Sequence, residues 1–192
     1  MSEYAKPPIS PGLFSLEIST GSLVPSGPTL TRRLSDLEGC FKNTAVWQQE
    51  VKNSNPIVYQ VISSVVPEIP RELPQSVTTI FPGSCDGELY MTKGHQHPDP
   101  QGEIYYGLAG TGGIIMFDGN HTSWIDITPG KIGYIPPGWA HRSVNTGASE
   151  YKFLAVYPGS AGHDYQWVLK NGMGLRAFNK NSKFELEEFN SQ

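Results

Sequence analysis

Hydrophobic residues along most of the chain occur in short runs that turn-forming residues interrupt. The runs cover residues 57–62, 76–81, 88–92, 103–108, 113–117, 123–127, 132–135, 141–145 and 151–157. Pro-Gly, Asp-Gly and Thr-Gly pairs separate several of them, at residues 82–83, 118–119, 129–130 and 146–147. Short strands at regular spacing with turn signals between them are typical of a β-sandwich or barrel. The pattern therefore predicts an all-β fold.

The segments on either side of these runs have a different character. Residues 1–28 are rich in Pro, Ser and Gly, and we expect an extended N-terminal arm with one or two short strands. Residues 35–38 have the form of a capping box, and Asn43-Thr44 can cap a helix over 45–51. We expect a single domain with its barrel core at about 56–165. Residues 166–192 would form a polar tail that contains a strand or a helical turn.

Composition and charge narrow the classes of protein. The length of 192 residues suits one domain, and 38% hydrophobic residues suffice for a buried core. The net charge of −4, with no basic cluster beyond Arg32-Arg33, makes nucleic acid and anionic membranes poor partners. The apolar runs are too short to cross a bilayer, and no signal-peptide pattern opens the chain. Cys40 and Cys85 match neither a zinc motif nor a disulfide framework, which favours thiols in a reducing cytoplasm.

Candidate chemistry begins in the stretch T92-K-G-H-Q-H-P-D-P-Q-G-E103. Residues two apart in a strand point to the same face, so His95 and His97 would project together. Two buried imidazoles need partners, and a divalent metal is a common partner of neutral imidazole. The turn formers at 98–102 could return the carboxylate of Glu103 to the same point. Taken alone, His-x-His is more often a pair of solvated histidines.

A second segment, G130-K-I-G-Y-I-P-P-G-W-A-H-R-S-V-N145, changes this interpretation. The first segment reads His-x-His, a gap, Glu, and then Gly110 seven residues on. The second reads Gly-x5-Pro-x-Gly-x2-His-x3-Asn and ends at Asn145. Together they resemble the paired motifs of the cupin superfamily, although five residues separate His97 from Glu103 where the general motif has three or four. The resemblance implies a double-stranded β-helix, or jelly-roll barrel, in which His95, His97, Glu103 and His141 hold one metal.

Further residues narrow the resemblance to the cupin-type phosphoglucose isomerases. They are the T92-K-G-H-Q-H and P-P-G-W-A-H-R-S-V-N segments, Y157-P-G-S-A-G-H-D-Y165, residues 32–39 and residues 56–59. The likeness covers about residues 30–165. It implies interconversion of glucose 6-phosphate and fructose 6-phosphate by a homodimer with one divalent metal ion per subunit. Fe²⁺ is the first candidate, and Mn²⁺, Ni²⁺, Co²⁺ and Zn²⁺ are alternatives.

The resemblance also implies a set of substrate-contacting residues. The phosphate group would lie among hydroxyls and backbone amides of Thr78, Thr92, Gly94, Tyr157 and Tyr165. The sugar carbons would lie nearer Tyr59, Tyr105, His163 and Glu103, with catalytic roles for the last three. A regular strand would place Thr92 and His95 on opposite faces, and a bulge at Gly94 would reconcile them.

Several alternatives stay open at this point. Proton transfer by Glu103 through a cis-enediol and a metal-assisted hydride shift are both compatible with these residues. His163 could assist ring opening or could be structural in a tight turn. A non-haem iron dioxygenase and a non-catalytic sugar-phosphate-binding cupin are the alternative functions. His121 is expected to be solvated, Trp124 and Trp139 to belong to the core, and Lys93 and Arg142 to form salt bridges on the outer face.

Overall fold

The computed structural model describes residues 12–189, and the predicted arm therefore lies partly outside the described residues. Antiparallel strands account for most of its regular structure. The strands are β1 (Ser15–Glu17), β2 (Ser22–Val24), β3 (Ser26–Arg33), β4 (Ile57–Ser64), β5 (Gln75–Ile80), β6 (Ser84–Cys85), β7 (Glu88–Leu89), β8 (Glu103–Ala109), β9 (Gly112–Phe117), β10 (Thr122–Asp126), β11 (Ile132–Ile135), β12 (Ala140–Asn145), β13 (Tyr151–Val156), β14 (Leu175–Lys180) and β15 (Lys183–Glu188). The all-β prediction is confirmed.

Two sheets enclose the core. The larger has the order β11-β8-β13-β5-β4-β3, and the sheet that faces it has the order β10-β9-β12. Contact between them is direct, because the rings of Tyr105 on β8 and His141 on β12 lie 5.8 Å apart. Strand β3 belongs to the larger sheet although it ends well before residue 56. The larger sheet therefore includes a strand that precedes the barrel core predicted at about 56–165.

Short helices interrupt the strands, and their ends follow the capping residues. A 3-10 helix spans Leu34–Leu37, and helix α1 spans Thr44–Asn53. Asn43 caps α1 by accepting a hydrogen bond from the Val46 amide at 3.2 Å, as its sequence position indicated. The capping box expected at residues 35–38 is wrong. The carboxylate of Asp36 instead accepts a hydrogen bond from the Arg33 amide at 2.7 Å, so the capping pair is formed by residues 33 and 36, two positions earlier.

The chain after the second motif is more ordered than a polar tail. Helix α2 spans Tyr165–Asn171, and β14 and β15 form a hairpin. This hairpin pairs with β7 through Phe178 and Glu88, and the two residues are buried. Within residues 12–189, the helices are too short or too polar to span a membrane.

Asn145 links the two sheets at the end of β12. Its side-chain amide donates to the carbonyl oxygens of Ile80 at 2.9 Å and Ser149 at 2.8 Å, and its oxygen accepts from the Gly147 amide at 2.9 Å. The residue is 1% exposed. Only a side chain with both donor and acceptor atoms satisfies these partners. The asparagine that ends the second motif is therefore a structural residue.

We predict that Asn145→Asp destabilises the protein by about 3 kcal/mol, because a carboxylate would face two carbonyl oxygens without a donor. The melting temperature should fall by about 9 °C. Differential scanning calorimetry measures this fall. Asn181→Asp is the matched control, because Asn181 is exposed in the β14–β15 turn. An equal change in both variants would contradict the structural role of Asn145.

Candidate metal centre

A bulge in the chain between residues 91 and 97 positions the first two histidines. Met91 pairs with Val144 and His95 pairs with His141, so a step of four residues on one side faces a step of three on the other. The extra residue makes a bulge, and Gly94 supplies the positive φ, 76°, that such a bulge favours. Thr92 and His95 can thereby face the same cavity. The bulge predicted at Gly94 is present.

Glu103 and His141 approach the same point from opposite sheets. Glu103 opens β8 and is 4% exposed, as is expected from its alternation with the exposed Ile104 and the buried Tyr105. His141 lies on β12, where its backbone exchanges hydrogen bonds with His95 at 3.1 and 2.9 Å. The longer gap between His97 and Glu103 is therefore compatible with convergence.

Four side chains form a compact cluster of ligand atoms. His95, His97, Glu103 and His141 each offer one nitrogen or oxygen atom within 4.8 Å of the others. The Glu103 carboxylate lies 3.2 Å from Nε2 of His97 and 3.0 Å from Nε2 of His141. Three imidazoles and one carboxylate are a ligand set that suits one divalent transition metal.

Buried polar atoms without hydrogen-bond partners support the interpretation of this cluster as a metal site. Nε2 of His95, Nε2 of His141 and Oε1 of Glu103 are buried and make no hydrogen bond of acceptable geometry among the described residues. Buried polar atoms without partners carry a large desolvation cost, and a shared cation would remove it. The residues therefore fit a metal ion.

Backbone carbonyls orient two of the imidazoles. Nδ1 of His97 lies 2.7 Å from the carbonyl oxygen of Gly162, and Nδ1 of His141 lies 3.3 Å from that of Trp139. A carbonyl accepts only from a protonated nitrogen, so Nδ1 carries a proton in both rings and Nε2 is the atom directed at the cluster. Such contacts around metal-binding histidines fix both the tautomer and the ring orientation.

Charges within the cluster set the protonation of its carboxyl group. Burial alone would raise the pKa of Glu103, but the neighbouring His141 and His97 outweigh it and hold this pKa well below its usual range. Burial and contact with His141 and His163 lower the pKa of His95 well below its usual value. Glu103 is thus ionised and His95 neutral at neutral pH, which are the states that bind metals.

A cavity of about 260 Å³ opens beside the cluster. It is lined by His95, Glu103 and His141 from the metal-ligand set, and by all the residues that the family resemblance placed around the substrate: Tyr59, Thr78, Thr92, Gly94, Tyr105, Tyr157, His163 and Tyr165. The structure thus brings the candidate site residues together around one space. His97 belongs to the ligand cluster but does not line this cavity.

His163 and Tyr105 lie close to the cluster. His163 has its ring 4.4 Å from that of His95, and burial lowers its pKa. The Gln96–Asp164 backbone pair holds the two histidine segments together. Burial, followed by the Glu103 carboxylate, raises the pKa of Tyr105 well above its usual range, so its phenol stays protonated. Both residues can exchange hydrogen bonds with a bound molecule.

Sequence reasoning missed three polar residues of the cavity. Ser76 lies two residues before Thr78 on β5, and Ser63 faces Ser76 in the strand register. The period of two along β5 is the signal that could have identified Ser76. Glu68 accepts a 2.7 Å hydrogen bond from the Tyr157 hydroxyl. It belongs to the connection between β4 and β5, where no periodic signal marks it.

The remaining candidates behave differently from one another. His121 is exposed and lies 3.2 Å from Asp118, and Trp124 and Trp139 pack against the core, all as expected. Arg142 does point away from the metal ligands, but the expected salt bridge on the outer face is wrong. Its side chain is buried, and it donates a 2.8 Å hydrogen bond to the backbone oxygen of Lys93.

Comparison with known proteins identifies related sequences over most of the chain. The model of the glucose-6-phosphate isomerase (GPI) family matches residues 31–189. Glucose-6-phosphate isomerase from Pyrococcus abyssi is 36% identical over 89% of this chain and 91% of that protein. The protein of the same name from Thermococcus kodakarensis is 40% identical over 82% of this chain and 83% of its own length. A putative glucose-6-phosphate isomerase from Rhizobium meliloti is 30% identical, with 86% and 84% covered.

Similarity to solved structures is much weaker. Oxalate decarboxylase from Bacillus subtilis is 21% identical over 52% of this chain and 25% of that chain, with a TM-score of 0.41. This similarity is too low to support an inference about fold or function.

We predict that the protein binds one divalent metal ion per chain and that His95→Ala or His141→Ala lowers the affinity about 100-fold or more. Metal content after dialysis, measured by inductively coupled plasma mass spectrometry, tests this. His121→Ala should retain the metal, because His121 is exposed and distant in the fold. Equal retention by all three variants would contradict the proposed centre.

Proposed function

The chain belongs to the glucose-6-phosphate isomerase family of cupin type, and from this premise we propose that it interconverts glucose 6-phosphate and fructose 6-phosphate at the metal cluster. The observation that carries the proposal is the joining of two features in one cavity. Metal ligands form one side of the 260 Å³ space, and hydroxyls of Thr78, Thr92 and Tyr157 line the rest. A sugar phosphate suits both features. Its own hydroxyls can bind the cation, and its phosphate oxygens can accept hydrogen bonds from the protein hydroxyls.

We propose His95, His97, Glu103 and His141 as the ligands of one divalent ion, with Fe²⁺ as the first candidate. A divalent ion bound there would polarise the oxygens on C1 and C2 of the open-chain sugar. Histidine binds a metal in its neutral form, so three such imidazoles, one carboxylate and a divalent ion would give a local charge near +1. This charge favours an anionic substrate in a protein whose net charge is −4.

Glu103 is the proposed carrier of the proton. During conversion of the aldose, the hydrogen on C2 leaves as a proton to Glu103 and returns at C1. The C1 oxygen gains a proton as the cis-enediol forms, and the C2 hydroxyl loses one as C1 is protonated to give the ketose. The carboxylate of Glu103 is ionised, as a base must be. The C2 hydrogen becomes more acidic when the adjacent carbonyl is polarised.

Tyr105 and His163 are the proposed supporting catalytic residues. The protonated phenol of Tyr105 adjoins Glu103 and can donate to a sugar oxygen. Neutral His163 can exchange a proton with the ring oxygen when the cyclic sugar opens. Tyr59 completes the wall of the cavity, and burial raises its pKa to about 12, which keeps it a donor.

The phosphate group would lie at the end of the cavity formed by Thr78, Thr92, Gly94, Tyr157 and Tyr165. Hydroxyl and amide groups can bind a phosphate without a paired cation. The same hydroxyl groups weigh against the dioxygenase and favour a sugar-phosphate substrate. Catalytic turnover separates the isomerase from a protein that only binds such a sugar.

A homodimer in the cytoplasm is part of the proposal. Edge strand β11 exposes Ile132 and Tyr134 at 67% and 59%, and the adjacent Ile104 is 38% exposed. A second copy packed on this apolar surface would remove it from water. The molar mass in solution tests the dimer. The two buried free cysteines are compatible with a reducing compartment.

We expect chelator-stripped protein to lose isomerisation of fructose 6-phosphate and to regain it when a divalent metal is added back. Glucose-6-phosphate dehydrogenase and NADP⁺ convert the product into a measurable absorbance. His95→Ala should stay inactive with every metal, and His121→Ala should match the unaltered protein. If folded, metal-loaded protein gives no turnover with any metal, the isomerase proposal fails.

Isotope exchange tests the proton carrier. Glucose 6-phosphate with deuterium at C2 should lose part of its label to water during turnover, because a proton on Glu103 exchanges with solvent. Proton NMR of the recovered fructose 6-phosphate measures the loss. Complete retention at C1 under every condition of temperature and pH would instead support a hydride shift.

A further inference from the structure

A second cavity, here called the arginine cavity, lies on the opposite side of β12 from the metal ligands. Its volume is about 210 Å³, and Cys40, Arg142, Lys170, Gly172, Arg176 and Phe189 are among the residues that line it. Successive residues of a strand point to opposite faces, so Arg142 enters this cavity while His141 faces the metal centre. No residue of the metal-ligand set lines it.

The arginine cavity has an excess of positive charge. Arg142 is 5% exposed, and the side chain of Arg176 is 12% exposed. Their shared neighbour is the buried carboxylate of Glu88, which already accepts hydrogen bonds from Arg176 at 2.7 Å and from the Lys42 amide at 2.7 Å. Lys170 adds a third cation, and none of the described lining residues is an aspartate or a glutamate.

Donor groups on both guanidinium groups lack partners. Nε of Arg142 and Nε of Arg176 are buried and make no hydrogen bond among the described residues. Arg142 donates through Nη2 to the Lys93 carbonyl oxygen, and Arg176 donates through Nη1 to the Cys40 carbonyl oxygen. Arg176 is paired with Glu88, but the printed hydrogen-bond partner of Arg142 is a neutral carbonyl oxygen. The single carboxylate leaves an excess of buried guanidinium charge, which is unfavourable unless a further anion is supplied.

We propose that the arginine cavity binds a small oxyanion, a phosphate or carboxylate group held between Arg142 and Arg176. The planar donor fork of arginine matches the oxygen geometry of both groups. Lys170, at the end of α2, supplies attraction at the entrance. This site is separate from the substrate cavity, and its occupation does not depend on the isomerase reaction.

Arg142 connects the arginine cavity to the segment that lines the substrate cavity. The carbonyl that accepts from Arg142 belongs to Lys93, between Thr92 and Gly94 of the substrate cavity. The Nε atom of Arg142 lies beside Gly94, where a Cβ atom would approach it to 3.1 Å. An anion that reorients Arg142 therefore acts on the segment that bears the bulge.

Site-resolved NMR tests the proposal on the complete, zinc-loaded chain labelled with ¹⁵N. Titration with inorganic phosphate, and separately with acetate, should shift the amides of Cys40 and Gly172 and the Nε–H signal of Arg176 along a saturable curve. Sodium chloride at matched ionic strength should not. Phosphate in the substrate cavity reports separately through the amides of Thr78 and Tyr157, which lie outside the segment that Arg142 contacts. The two arms distinguish a phosphate from a carboxylate preference.

Two variants complete the test. Lys170→Glu should weaken anion binding in the arginine cavity about tenfold, because it places a like charge beside the anion. Lys131→Glu reverses an equally exposed charge in the β10–β11 connection and should leave the binding unchanged. Glu88→Gln combined with Arg176→Met preserves the local charge balance and should abolish the saturable shift.

Absence of a saturable shift with both anions, or equal binding by Lys170→Glu and the unaltered protein, would overturn the proposal. Arg142 would then be only a structural tie to Lys93. Since the readout is binding and not turnover, failure here leaves the isomerase assay unaffected. Conversely, a protein that binds anions in this cavity but shows no isomerase activity would support the anion site and contradict the isomerase proposal.

Discussion

The shared burial of three imidazoles and one carboxylate is the constraint on which the site depends. These groups are expensive to remove from water, and hydrogen bonds among themselves leave Nε2 of His95 without a partner. A divalent cation would satisfy all four groups at once and remove this cost. The strand pairing around it serves this end, because the bulge at Gly94 turns His95 toward His141 without breaking the ladder.

Much of the fold could be predicted because it depends on local patterns, whereas the full ligand set was implied by the resemblance of two motifs to the cupin superfamily. Alternation of apolar residues and Pro-Gly or Asp-Gly turns marked the strands, and the period of two paired Glu103 with Tyr105. The bulge was predictable for the same reason. Thr92 and His95 have the wrong parity for one face of a regular strand, and a glycine stands between them.

Contacts between segments distant in sequence could not be predicted in this way. The Phe178–Glu88 pair brings the β14–β15 hairpin to β7, and nothing in the polar sequence after residue 166 announces that pairing. Glu68 likewise reaches Tyr157 across 89 positions of sequence. The salt bridge predicted for Arg142 was wrong for a different reason. Strand parity gave its direction correctly, but parity cannot tell whether the outer face of a strand meets water or a further layer of chain.

That further layer gives β12 two chemically different faces. One face directs the His141 imidazole at the cluster of candidate metal ligands, and the other directs the Arg142 guanidinium at a space with no acidic side chain among its described lining residues. Metal ligands must be held rigidly, and the reciprocal backbone hydrogen bonds between His95 and His141 hold these two residues in place. The Arg142–Lys93 hydrogen bond fastens the same segment from behind. The two attachments act on adjacent residues of one strand, His141 and Arg142. Strand β12 therefore separates the two cavities and also connects them physically.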